Sequence, residues 1–105
     1  MNTYREITPE ATYEARGQAR LVDVREASEL AAEGFIPGAE HVPLAAVDAR
    51  ACDWNKDQQI ILICRSGGRS GRAADLLLRR GFRRVLNMTG GMLAYTRAGL
   101  PVARS

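Results

Sequence analysis

A chain of 105 residues with 46% hydrophobic and 26% charged residues has the makings of one compact core, which excludes a disordered segment and leaves no room for a second folded domain. The formal net charge is only +3, and Trp, Tyr and Phe are too sparse to interleave with the arginines as a base-stacking surface requires. The arginines at 65, 69 and 72, and the second cluster at 79, 80, 83 and 84, therefore suit a small anionic ligand better than nucleic acid.

Taken in chain order, a short strand near Tyr4–Ile7 precedes Thr8-Pro9-Glu10, an N-cap followed by proline at the first helical position, so a helix is expected from Pro9 to Arg16 with Gly17 as its stop. Arg20–Val24 reads as a strand, and Glu26–Glu33 as a helix ended by Gly34. Ile36-Pro37-Gly38-Ala39 is a turn signal, His41-Val42 a very short strand, Leu44–Ala51 a short helix and Asp53–Gln58 a polar loop. Gln59–Ile63 is continuously apolar and β-branched, as a central strand covered on both faces must be. Arg69–Arg80 places Ala73, Leu76, Leu77 and Leu78 on one helical face, with Gly81 as the C-terminal cap. Val85–Met88 is the next strand, Gly90-Gly91 a turn and Met92–Ala98 a last helix. Strands separated by helices predict an α/β domain with a mainly parallel sheet, spanning residues 1–105 as one unit.

The opening residues, Met1 to Glu6, carry neither an apolar stretch nor a small-residue cleavage site, and the longest apolar run is Ile60–Cys64. No export or membrane association is expected. Two cysteines, Cys52 and Cys64, cannot build a disulfide framework, and a reducing cytoplasmic setting fits a free thiol.

Cys64 closes the central strand, at the end where ligands of α/β sheets bind. The residues after it, Arg65-Ser66-Gly67-Gly68-Arg69-Ser70, lead into a helix through two glycines. Glycine allows the left-handed backbone of a tight cradle, in which successive amides converge on one anion. Such a cradle favours thiolate over thiol, but a thiolate of lower basicity is also a weaker nucleophile, so the two effects nearly cancel. The larger value of the cradle lies in holding anions: substrate, leaving group and a persulfide. The bland reading of Cys64 is a small buried hydrophobe ending a core strand, and the Gly-Gly-Arg-Ser context speaks against it.

The segment Cys64-Arg65-Ser66-Gly67-Gly68-Arg69-Ser70 resembles the active-site loop of the rhodanese family. Asp23-Val24-Arg25, Ile36–Leu44 and Gly90–Tyr95 resemble three further segments of that family in the same order, so the similarity covers residues 5–102. Phe35, His41 and Tyr95 depart from the residues common in the family, which are His, Asn and Trp respectively. The resemblance implies a three-layer α/β/α fold with a five-stranded parallel sheet and a two-step sulfurtransferase reaction. A small anionic donor such as thiosulfate would yield sulfur to Cys64, and the persulfide would pass it to cyanide, a thiol or a protein acceptor.

Within this scheme Cys64 is the expected catalytic residue, and Arg65, Ser66, Gly67, Gly68, Arg69 and Ser70 the substrate-binding loop. Arg65 would attract the anionic donor at the pocket mouth, with a solvated loop arginine as its alternative. Arg69 would brace the loop by pairing with Asp23 or Glu29. Ser70 would bond within the loop or to the persulfide, or satisfy helix-start amides. Asp23 and Arg25 would support the site, Asp23 through an ion pair with an arginine and not as a base. Neither metal nor cofactor is expected, because one histidine and two cysteines lack metal-type spacing. Cys52, beside Trp54 and without Cys-x-x-Cys spacing, reads as a partly buried bystander, and Tyr95 as core.

Cysteine-based phosphatases and arsenate reductases of related fold are the competing enzymes. By family analogy they use five residues between Cys and Arg, whereas Cys64 and Arg69 enclose four, a smaller cradle. A noncatalytic sulfur-carrier or binding module is the third reading.

Overall fold

The computed structural model describes residues 3–105, so Met1 and Asn2 of the segment read for an export signal lie outside the description. Five strands, β1 (Arg5–Ile7), β2 (Arg20–Asp23), β3 (Glu40–His41), β4 (Gln59–Ile63) and β5 (Arg84–Met88), form one sheet in the order β1-β5-β4-β2-β3. Every pairing is parallel. The helices are α1 (Pro9–Glu14), α2 (Ala27–Glu33), α3 (Val47–Arg50), α4 (Gly68–Arg79) and α5 (Gly91–Arg97).

The apolar run at 59–63 occupies the middle of the sheet because only there are both faces of a strand covered. Its side chains alternate between two cores. Ile60 and Leu62 join Val22, Val85, Ala73, Ala74 and Leu77 beneath α4, and Cys64 continues that face. Ile61 and Ile63 join Leu21, Ile36, Met88, Met92 and Tyr95 beneath α5. The result is the expected three-layer α/β/α arrangement with a parallel five-stranded sheet.

Local departures from the expected boundaries have local causes. Helix α1 starts as foreseen, with the Thr8 hydroxyl accepting the Ala11 amide at 3.1 Å, but ends at Glu14. The third strand is Glu40–His41, although Val42 still donates its amide to Asp23 O at 3.0 Å. The single helix expected over Leu44–Ala51 is three tight turns instead: a 3₁₀ turn at Leu44–Ala46, α3, and a second 3₁₀ turn at Ala51–Asp53. Those turns put Val47 and Ala51 into the core, with the first 3₁₀ turn and α3 packed against α4.

Candidate active site

The parallel strands all end on one side, so the last residue of β4 meets the first turn of α4 and the approach to α5. Cys64 lies there, 1% exposed. The chain then turns sharply through Gly67, whose φ of +108° falls in the left-handed region that favours glycine. This turn points the Gly67 amide at Cys64 Sγ, 3.0 Å away. The Ser70 hydroxyl, in the first turn of α4, lies 3.2 Å from the same sulfur. Burial pushes the Cys64 thiol up, but the Ser70 hydroxyl and the backbone amides of Ser70, Gly67 and Ser66 outweigh it, and the net shift is downward.

Amides can face the sulfur only if the loop carbonyls are satisfied elsewhere. Helix α5 does this with its first turn: Met92 donates to Cys64 O at 2.8 Å and Leu93 to Arg65 O at 3.0 Å. The backbones approach so closely that a Cβ on Gly91 would stand 2.6 Å from Cys64 O. Gly90-Gly91 is thus the seat of the loop as well as the turn read from the sequence.

The two loop arginines separate. Arg69 makes a bidentate bond to Glu29 of α2, at 2.7 and 2.8 Å, and that guanidinium holds the Glu29 carboxyl down at about 2. Of the two partners anticipated for Arg69, Glu29 is the one present. Arg65 is half-exposed at the rim, with Nε 3.7 Å from the Glu33 carboxylate and no hydrogen bond. Gly68 faces open space, and Ser66 is exposed on the loop.

Asp23 and Arg25 lie at the end of β2 on the same side of the sheet. Arg25 is fully buried; its Nε and Nη2 engage both carboxylate oxygens of Asp23 between 2.7 and 3.2 Å, and Nη2 also donates to Gly34 O. Nη1 makes no hydrogen bond and stands 3.6 Å from Glu33. Asp23 is therefore committed to an ion pair, with neither oxygen free as a base. His41, whose ring Nε2 lies 2.7 Å from Arg25 O, belongs to the same support.

Cys52 is exposed, where partial burial was expected. It sits near Arg80 beyond the far end of α4, about 15 Å of helix from the loop, too far to meet Cys64 directly. Tyr95 is core as expected, its hydroxyl donating to Pro101 O at 2.6 Å. A cavity of ≈ 340 Å³ lined by Arg5, Gln59, Arg83 and Arg84 opens at the other end of the strands and has no part in this site. Among the described residues no group of three or more His, Cys, Asp or Glu side chains could hold a metal ion.

One residue of the site is absent from the sequence reading. Asn87 of β5 is buried beside the loop, with Oδ1 2.5 Å from the Ser70 hydroxyl and Nδ2 donating to Gly67 O at 3.2 Å. Its signal is an amide among the apolar residues Val85, Leu86 and Met88 near the carboxyl end of the strand, where strand propensity alone would not choose asparagine.

Residues 8–98 match the family model of the rhodanese-like domain. The chain belongs to the rhodanese-like domain family. A sulfurtransferase of Allochromatium vinosum is 42% identical over 82 residues, covering 78% of this chain and 76% of that protein. YrkF of Bacillus subtilis, provisionally named a sulfur carrier protein, is 41% identical over 72% of this chain, which spans 40% of it. Among solved structures, the rhodanese-related protein of Thermoplasma volcanium superposes with a TM-score of 0.87 at 27% identity, covering 97% of this rhodanese-like domain and all of that chain.

Proposed function

We propose that this rhodanese-like domain is a sulfurtransferase that carries a sulfane sulfur on Cys64. The observation that carries the reading is the convergence of the Gly67 amide and the Ser70 hydroxyl on one buried sulfur at a strand end, with two arginines on the surrounding loop. A site built this way stabilises negative charge on sulfur.

Cys64 thiolate attacks the outer sulfur of an anionic donor such as thiosulfate. The new bond joins Cys64 Sγ to that sulfur, the donor's S–S bond breaks, and sulfite departs with the electron pair. A nucleophilic acceptor, cyanide or a thiolate of a small molecule or protein, then attacks the outer sulfur of the persulfide. The Cys64 thiolate leaves with its electron pair, which regenerates the site. No proton need be taken from the attacking thiolate, in keeping with an Asp23 that is locked to Arg25. Arg65 at the rim draws in the donor, and Arg69, tied to Glu29, holds the loop in shape. The remaining loop residues act through the backbone: Ser66 and Gly67 offer amides to the sulfur, and Gly68 begins α4.

Residues 1–105 are read as one folded unit that works in a reducing cytoplasm, which keeps both thiols free. No helix of the described residues is long and apolar enough to cross a membrane.

The test is mass spectrometry of the protein after brief exposure to thiosulfate. A gain of one sulfur atom on Cys64, removed by cyanide with formation of thiocyanate, supports the proposal. Sulfur found on Cys52 instead, or no added sulfur with any sulfane donor, refutes it. The similarity to YrkF favours a second reading, a carrier that holds the persulfide for a partner enzyme. That reading expects the persulfide to form but to turn over slowly with small acceptors.

A further inference from the structure

The proton inventory around Cys64 does not close with the loop alone. Ser70 has one hydroxyl proton and three acceptors within reach: Asn87 Oδ1 at 2.5 Å, Cys64 Sγ at 3.2 Å and Gly67 O at 3.3 Å. Gly67 O already accepts from Gly71 N–H at 3.1 Å and from Asn87 Nδ2 at 3.2 Å, which uses both of its lone pairs. The orientation of the Asn87 amide follows from the same count. A carbonyl has no proton to offer, so the Nδ2 end must face Gly67 O, and Oδ1 is left facing Ser70. Two acceptors therefore compete for the Ser70 proton, one neutral and fixed, the other a sulfur whose charge changes during the reaction.

We propose that Asn87 is a positioning residue of the sulfur site, clamping Gly67 with Nδ2 and offering Oδ1 as the resting acceptor of the Ser70 hydroxyl, which turns to the sulfur whenever Cys64 is anionic. A neutral thiol accepts hydrogen bonds weakly, so the hydroxyl rests on Asn87. A thiolate accepts a charge-assisted bond, so the hydroxyl turns to it and the amide oxygen gives up its partner. Asn87 thus acts in opposite directions through its two ends: the clamp on Gly67 favours the anion, and the competition for Ser70 opposes it. The proposal rests on the sulfurtransferase reading only for its catalytic consequence.

Other groups around the sulfur leave this balance unchanged. Arg69, at the start of α4, is the arginine whose charge reaches the sulfur, and it is paired to Glu29 of α2 with Glu26 nearby, whereas Arg65 stands at the rim against Glu33. The Asp23–Arg25 pair closes the β2 side, and the Tyr4 hydroxyl, ahead of β1, lies across Gly71 from Asn87. Helix α5 meets the loop with backbone amides, not charges.

The experiment is the pH dependence of Cys64 alkylation by iodoacetamide, with thiolate absorbance as a second readout. It uses the full chain carrying Cys52→Ser and a double-mutant cycle of Asn87→Leu with Ser70→Ala. Loss of the clamp alone acts equally in both backgrounds. If the hydroxyl is shared, the change in thiolate fraction caused by Asn87→Leu is more favourable to the anion with Ser70 present than with alanine at 70, the two changes differing by about threefold or more below the midpoint, the worth of a hydrogen bond. Equal effects in the two backgrounds overturn the proposal. Should Asn87→Leu not fold, Asn87→Asp decides. Its direct repulsion of the thiolate acts in both backgrounds, and its tighter hold on the hydroxyl must add to the loss only where Ser70 is present; equal losses overturn the proposal. Alkylation needs no sulfur donor, so a protein that moves no sulfur still gives an answer.

Discussion

Cys64 and Cys52 carry the same thiol in opposite surroundings: one is buried under amides and a hydroxyl, the other is exposed beside Arg80. Cys64→Ser should abolish thiosulfate:cyanide sulfurtransferase activity while Cys52→Ser keeps most of it. Comparable losses in two folded variants would show that the sulfur is not carried by Cys64 alone. The loop arginines should divide kinetically as they divide in space. Arg65, half-exposed and without a hydrogen bond, is free to turn toward a donor, so Arg65→Ala should raise KM for thiosulfate by roughly fivefold and flatten its salt dependence. Arg69, bidentate on Glu29, should instead lower kcat and melting temperature together when replaced by alanine, because the loop amides lose their placement. Steady-state kinetics at two ionic strengths, with melting curves, separate the two; the reverse pattern would mean the roles are exchanged. Both assignments begin in the sequence, since the spacing of Cys64, Arg65 and Arg69 around two glycines is itself the chemical signal. Asn87 is less legible, because its partners Gly67 and Ser70 come from another strand-to-helix junction and no local pattern joins them.

At the level of elements, the site is where β4, α4, β5 and α5 converge, and the order of these segments in the chain was readable from alternating apolar runs and glycine stops. A strand covered on both faces is apolar throughout, so β4 declared its central position directly. The stretch after β3 was less readable, because alanine-rich sequence permits a helix and only the packing of Val47 and Ala51 against the core divides it into turns. Gly-Gly at 90–91 read as a turn, whereas its second purpose depends on a backbone contact with residues more than twenty positions earlier. That contact makes a sharp prediction. Gly91→Ala combines a φ of +60° with a Cβ driven into the carbonyls of Cys64 and Arg65, and should cost at least about 2 kcal/mol and most of the activity. Gly68→Ala places its Cβ in open space at the start of α4 and should be tolerated, with stability unchanged or slightly improved. Urea midpoints for the two variants check this, and similar destabilisation by both would show that the seat of the loop is not at Gly91.

Across the whole molecule, stability is unevenly attached to the site. The sheet and α4 are joined by apolar packing in one core and α5 by packing in the other, but α2 has no buried residue. It is held by polar ties: the Arg69–Glu29 pair, the Arg104 bond to Ala32 O at 3.2 Å and the Arg25 bond to Gly34 O at 2.9 Å. The helix that braces the sulfur loop should therefore respond to pH in a way the core does not. Glu29 has a folded pKa lowered from 4.5 to about 2 by Arg69, so the unfolded chain binds its proton first as pH falls. The stabilisation is complete above about 4.5 and disappears as pH falls through about 2. With both side chains partly exposed, solvent screening reduces its size to about 1 kcal/mol. Urea denaturation of wild type and Glu29→Gln should show that gap unchanged from pH 7 to pH 5, shrinking below, and closed near pH 2. Sulfur transfer should be lower in the variant at neutral pH, because the same pair places the loop. A gap that persists at pH 2 would mean that Glu29 contributes through packing, and α2 would then owe its place to something other than charge.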